Sequence, residues 1–306
     1  MGLIVETAVF GNLEPVSDPK VLIIPAPYEY TTSYIKGTKN GPQAILNASI
    51  HLSSFDDELW ADLSSVGINT NNFVLCEFVS NKTTQPFNEL EQVVKNSVIG
   101  GSLPVVIGGE NTVSYGSIKA LYDLYPDISV LHFGAHSNLR SSFKDNKFNH
   151  TCTMRQVLDS MPEIKLVQVG IRNISREEAD WLQNENPKVD VYFAKDRRQF
   201  TTGEILSSLK KNVYISFDFG VFDPVFMPSV LEPVPGGMSF EQVAEILKNV
   251  CAFKDIIGMD FVGLTPIHGF YPPDFLAAKL IYKTIGYVFA KELETQQVQD
   301  QSLVGA

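Results

Sequence analysis

Two residues of this chain, His136 and Asp218, pair an imidazole with a carboxylate in a way that suits a borderline divalent cation. Two ligands are few, because a catalytic metal site generally takes at least three protein ligands plus water. Ordinary hydrogen bonding at strand ends is the other reading of the same pair. Asn111 and Asn138 can donate to or accept from a small ligand, but neutral amides contribute little to a cation site. His150 lies close before Cys152, a spacing too generic to define a thiol–imidazole nucleophile, and a buried inert thiol accounts for it equally well. Gly108-Gly109 is followed by Glu110, which would repel phosphate, and neither a GxGxxG nor a GxxxxGK[ST] motif is present. A packing turn is expected there. Asp223-Pro224 reads as the start of a turn whose carboxylate accepts nearby backbone N–H groups.

These residues follow short apolar runs at 21–25, 73–76, 104–107, 129–133, 166–169, 189–193, 213–217 and 256–262. Nearly uninterrupted apolar runs of this length are expected of strands buried on both faces. The fold expected is a three-layer αβα, doubly wound, mostly parallel eight-stranded sheet, which uses the whole length as one domain over residues 1–306. Ligands of such sheets sit beyond the carboxyl ends of the strands, so Glu110, Asn111, His136, Asn138, Arg172, Asp218 and Asp223 should face one crevice, with His150 just downstream.

Composition narrows the partners. The chain has 24 Lys and Arg against 35 Asp and Glu, a formal charge of −11, and no basic run, which disfavours nucleic acid and anionic membranes. No apolar stretch reaches the ~18 residues of a membrane span. Three cysteines without CxxC spacing suit reduced thiols in a cytoplasm.

The segments IGGEN (107–111), HFGAH (132–136), VGIR (169–172), SFDFGVFDP (216–224), PGGMS (235–239) and MDFVGLTP (259–266), with the loop 37–45, resemble in order and spacing the motifs of the ureohydrolase family. That family includes arginase, agmatinase and formimidoylglutamase. The resemblance implies the arginase/deacetylase-type α/β sheet. It also implies a site that, in relatives, holds two Mn²⁺ ions through two histidines and four aspartates. At the corresponding positions this chain keeps His136 and Asp218 but carries Asn111, Gly134, Asn138 and Gly220. Gly263 stands where relatives have a glutamate that contacts the guanidinium. His150 resembles the family's proton-handling or substrate-contacting histidine, and it remains the one catalytic candidate.

Two close divalent ions carry four positive charges, and three of the four carboxylates that would offset them are absent. Without a metal, the pKa of water stays at ~15.7 instead of near 7. A lone general base adds only ~10²–10⁴-fold. The expectation is therefore a catalytically silent arginase/agmatinase-like protein without a metal cofactor, serving as a binding or regulatory subunit. The alternative is a metal-dependent hydrolase of a guanidino or other C–N substrate with an altered or single-metal site, recruiting Glu110. Relatives are usually trimers or hexamers, so a homo-oligomer or a mixed oligomer with an active paralogue is expected.

Overall fold

Seven of the eight apolar runs form strands in the computed structural model, which describes residues 8–76, 87–125, 127–184 and 188–295. The strands are β1 (Val21–Ala26), β2 (Phe55–Asp56), β3 (Ala61–Asp62), β4 (Ile68–Thr70), β5 (Leu103–Gly108), β6 (Ile128–Phe133), β7 (Lys165–Ile171), β8 (Val189–Phe193), β9 (Asn212–Asp218) and β10 (Asp255–Val262). Eight of them make one sheet in the order β4-β1-β5-β10-β9-β6-β7-β8, with every neighbouring pair parallel. A small antiparallel pair, β2-β3, lies outside it.

The helices are α1 (Gly41–Ser49), α2 (Asn88–Ile99), α3 (Val113–Tyr122), α4 (Thr153–Ser160), α5 (Arg176–Asn184), α6 (Thr202–Ser208), α7 (Phe240–Phe253) and α8 (Pro272–Val288). Their starts follow local chemistry. Pro42 opens α1, and reciprocal capping boxes, Thr201 with Glu204 and Ser239 with Gln242, open α6 and α7. Alternate strand residues feed two cores. Ile23, Ile107, Phe133, Ile215 and Phe261 pack under α1, α6, α7 and α8. Ile24, Val106, Val130, Leu166 and Tyr214 pack on the other face under α2, α3 and α4, with α5 adding Trp181 and Leu182. Both faces are covered, which is why the runs do not alternate with polar residues. Among the described residues no helix is long and apolar enough to cross a membrane.

The expected strand at 73–76 is a correction. The outer neighbour of β1 is β4, which pairs with Val21–Ile23 and then gives way to irregular chain. Among the described residues two further contacts continue the ladder, Asn71 N–H to Ile23 O and Val74 N–H to Pro25 O, both at 2.8 Å. Pro25 accepts but has no N–H to return, so parallel pairing ends there although the side chains are apolar.

Candidate functional site

Asn111 follows β5 and Asp218 ends β9, with β10 between them in the sheet, yet their side chains meet: Asn111 Nδ2 donates to Asp218 Oδ2 at 2.7 Å. The other carboxylate oxygen of Asp218 accepts the Gly220 N–H at 2.7 Å and caps the short turn Phe219–Val221. Phe217 anchors this corner from below, its ring 5.2–5.7 Å from those of Phe133, Phe219, Phe222 and Phe261. Arg172 fixes it from the side by donating to the carbonyls of Gly170, Gly220, Val221, Phe222 and Val234 at 2.7–3.2 Å.

A cavity of about 40 Å³ opens beside this pair, lined among others by Asn111, His136, Asn138, His150, Asp218 and Glu232. That is room for a few waters, at roughly 10–15 Å³ each. It is far below the ~300–1,000 Å³ of a small-molecule site. His136 Nε2 lies 2.9 Å from Glu232 Oε2 and 3.1 Å from Asn173 Nδ2. The hydrogen bond from His136 is the largest influence on Glu232 and holds its carboxyl below the usual range against the opposing effect of burial. His150 is buried, its Nδ1 3.0 Å from Thr31 Oγ1, and burial lowers its pKa while Glu110 and Glu232 oppose that shift. Asn138 sits at φ 54°, and its buried Nδ2 has no hydrogen-bond partner among the described residues.

Gly134 and Gly263 are set by their surroundings. His132 is fully buried beneath Gly134; its Nδ1 accepts from Gln168 Nε2 at 2.9 Å, and that amide also donates to Ser137 O at 2.8 Å. The ring proton is thereby assigned to Nε2, which has no partner among the described residues and would lie 3.1 Å from a Cβ on residue 134. Burial, with a smaller contribution from His136, pushes the His132 pKa down to about 3. Gly263 has φ 87°, and a Cβ there would fall 2.6 Å from Asp218 Oδ1. At Gly220 the same test gives 3.0 Å to that oxygen.

The arginase-family pattern matches residues 19–286. The chain belongs to the arginase family. It is 33% identical over 280 residues to an N(1)-aminopropylagmatine ureohydrolase of Thermus thermophilus, covering 91% of this chain and 94% of that one. Its fold is similar to the agmatine ureohydrolase of Thermoplasma volcanium, with TM-score 0.79, 27% identity and coverage of 90% and 92%. The Trypanosoma cruzi formiminoglutamase solved with Mn²⁺ matches with TM-score 0.78 at 21% identity, over 89% and 94% of the two chains, a likeness of fold.

In this arginase-family chain Asn111, His136, Asn138 and Asp218 converge on the crevice as expected, with His150 beside them, whereas Arg172 and Asp223 serve the neighbouring loop and do not line it. Glu110 points away from the cavity. Its carboxylate accepts from Tyr30 N (2.8 Å), Thr31 N (2.7 Å), Thr31 Oγ1 (2.8 Å) and Thr112 Oγ1 (2.7 Å), so it pins the loop after β1 and leaves no lone pair for recruitment. The packing role expected of the glycine turn is seen at Gly109, where a Cβ would fall 2.1 Å from Tyr28 O. Asp223 caps the 235–237 turn through the N–H groups of Gly236 and Gly237, at 2.7 and 3.0 Å. Cys152 is buried, and its sulfur lies nearest Thr151 Oγ1 and Asn146 O. Burial raises its pKa. Glu232 has no motif or strand end to mark it in the sequence, because Arg172 and the Asp223-capped turn bring its loop over the crevice. Among the described residues no three His, Cys, Asp or Glu side chains are grouped so as to hold one metal ion.

Proposed function

We propose that this arginase-family chain works as a non-catalytic member of the family, a binding or regulatory subunit whose crevice does not hold a pair of manganese ions. The observation that carries this reading is the Asn111–Asp218 hydrogen bond. Two divalent ions need several anionic oxygens to offset their mutual repulsion. Of the strand-end acids only Asp218 lines the cavity, and its two oxygens are engaged by an amide N–H and a backbone N–H. The second acid, Glu232, is held by His136. This donor set does not fit a binuclear site. The small cavity and the glycine at 263 support the same reading, since a guanidine with a polyamine tail needs both volume and a carboxylate partner.

A second reading is favoured by the ureohydrolase name of a relative that shares a third of its residues over nine-tenths of this chain. In that reading His136, His150, Asp218 and Glu232, which line one cavity, serve a guanidino- or other C–N-hydrolase with one metal or an altered site. Urea release from N(1)-aminopropylagmatine, agmatine and arginine separates the two, measured with added Mn²⁺ beside elemental analysis of the purified chain. Non-catalytic function gives no urea above the blank and far less than one metal per chain. Chelator-sensitive turnover establishes the hydrolase. The subunit role carries an assembly claim: light scattering should give a trimer or hexamer, or the chain should co-purify with an active paralogue. A monomer that co-purifies with no paralogue rules it out.

A further inference from the structure

The carboxylate of Asp274 is buried and unused. It lies in the first turn of α8 with 5% of its surface exposed, and it makes no hydrogen bond or ion pair among the described residues. Burial alone lifts its pKa, to about 6. A buried carboxylate without a partner is unfavourable, and the dipole at the α8 N-terminus offsets only part of that. The rest calls for a cation, and none pairs with this acid among the described residues.

Asp274 lines a groove of about 570 Å³ between α1, the loop after β10 and the start of α8. That volume falls within the ~300–1,000 Å³ of small-molecule sites, and the groove shares no lining residue with the crevice. Asn47, His51, His268, Tyr271 and Phe275 line the same groove, without a lysine or arginine. Tyr271 and Phe275 are 68% and 43% exposed, apolar surface of the kind that stacks on an alkyl chain or faces an ammonium. Hard divalent cations want about six or more oxygen ligands, and one carboxylate does not provide them.

We propose that this groove is a second binding site, for a small organic cation with an ammonium head on Asp274 and an aliphatic stem against Tyr271 and Phe275. The site stands independently of what the crevice does.

The probe is n-butylammonium, titrated calorimetrically into the full chain, with n-butanol as its uncharged counterpart. The expected result is saturable binding of n-butylammonium, weakened about tenfold or more by Asp274→Asn and by loss of charge on the ligand. Asp274→Asn is nearly isosteric and removes a buried unpaired charge, so its melting temperature should equal or exceed that of the parent, which verifies folding. Phe275→Ala provides a second variant, expected to weaken binding while Asp274 is intact. No heat of binding up to about 10 mM ligand, or equal affinity for n-butanol or by Asp274→Asn, overturns the proposal. A change in oligomeric mass on Asp274→Asn without n-butylammonium binding overturns it too, in favour of a subunit contact.

Discussion

Asn111 holds Asp218: its amide donates to the carboxylate at 2.7 Å across the width of an intervening strand. Hydrogen bonds to a charged group are worth about 1.5–3 kcal/mol, so Asn111→Ala should destabilise the chain by that amount in urea unfolding. Asp218→Ala removes the partner and the turn cap together. The double variant should then fall short of the sum of the singles by ~1 kcal/mol or more. Strict additivity would mean the contact contributes nothing.

Gly263 is held in a left-handed conformation, with the carboxylate of Asp218 at the position a side chain would enter. Gly263→Ala meets backbone strain and a clash at once, and a loss of about 1–3 kcal/mol is expected. Combining it with Asp218→Ala should recover the steric part and leave the strain. A Gly263→Ala chain as stable as the parent would show that the turn relaxes.

His132 gives the site a pH dependence whose sign can be worked out. Its folded pKa of about 3 lies below the ordinary 6.5 because burial, and secondarily His136, disfavour the cation. Between those values the unfolded chain binds the extra proton, so stability is complete above pH 6.5 and declines as the pH falls towards 3. Urea midpoints at pH 7 and pH 4.5 should differ more for the parent than for His132→Gln. In Gly134→Asp a carboxylate beside Nε2 should raise the imidazole pKa, followed by the ring proton in an NMR titration. An unmoved titration would place that carboxylate elsewhere.

Metal dependence separates the parent from a reconstructed crevice. EDTA and Mn²⁺ should both leave the melting temperature of the parent unchanged. The variant Asn111→His, Gly134→Asp, Asn138→Asp, Gly220→Asp frees Asp218 from its amide partner and gathers carboxylates that repel one another without metal. It should melt below the parent and gain about 2.7 kcal/mol with Mn²⁺ at a hundred times its dissociation constant. A fall in the melting temperature of the parent on chelation would reveal a structural metal.

The strands were legible because Val, Ile and Phe dominate segments buried on both faces, and the convergence of Asn111, His136 and Asp218 follows from parallel strands ending together. The segment 73–76 reads like a strand, but its pairing fails at Pro25, a property of the neighbour and not of the segment itself. Glu110 has the composition of a site residue, and only the packed loop after β1 shows its oxygens occupied. Glu232 enters the crevice through a long loop, and no spacing rule reports where such a loop folds back. The positive φ of Gly263 is likewise a tertiary fact, invisible in the letters GLTP.

Pro25 bears on how copies of this chain can meet. A sheet grows by offering a row of free donors and acceptors along its outermost strand. On the β4 side that row is three residues long, and beyond it the Pro25 carbonyl is occupied by Val74 while its nitrogen has nothing to give. So short a row offers an incoming strand little to pair with. Side chains of the covering helices and loops, where shape and charge select the partner, dominate what this side presents. A short edge strand of this kind is one of the ways in which sheets limit edge-to-edge pairing between copies.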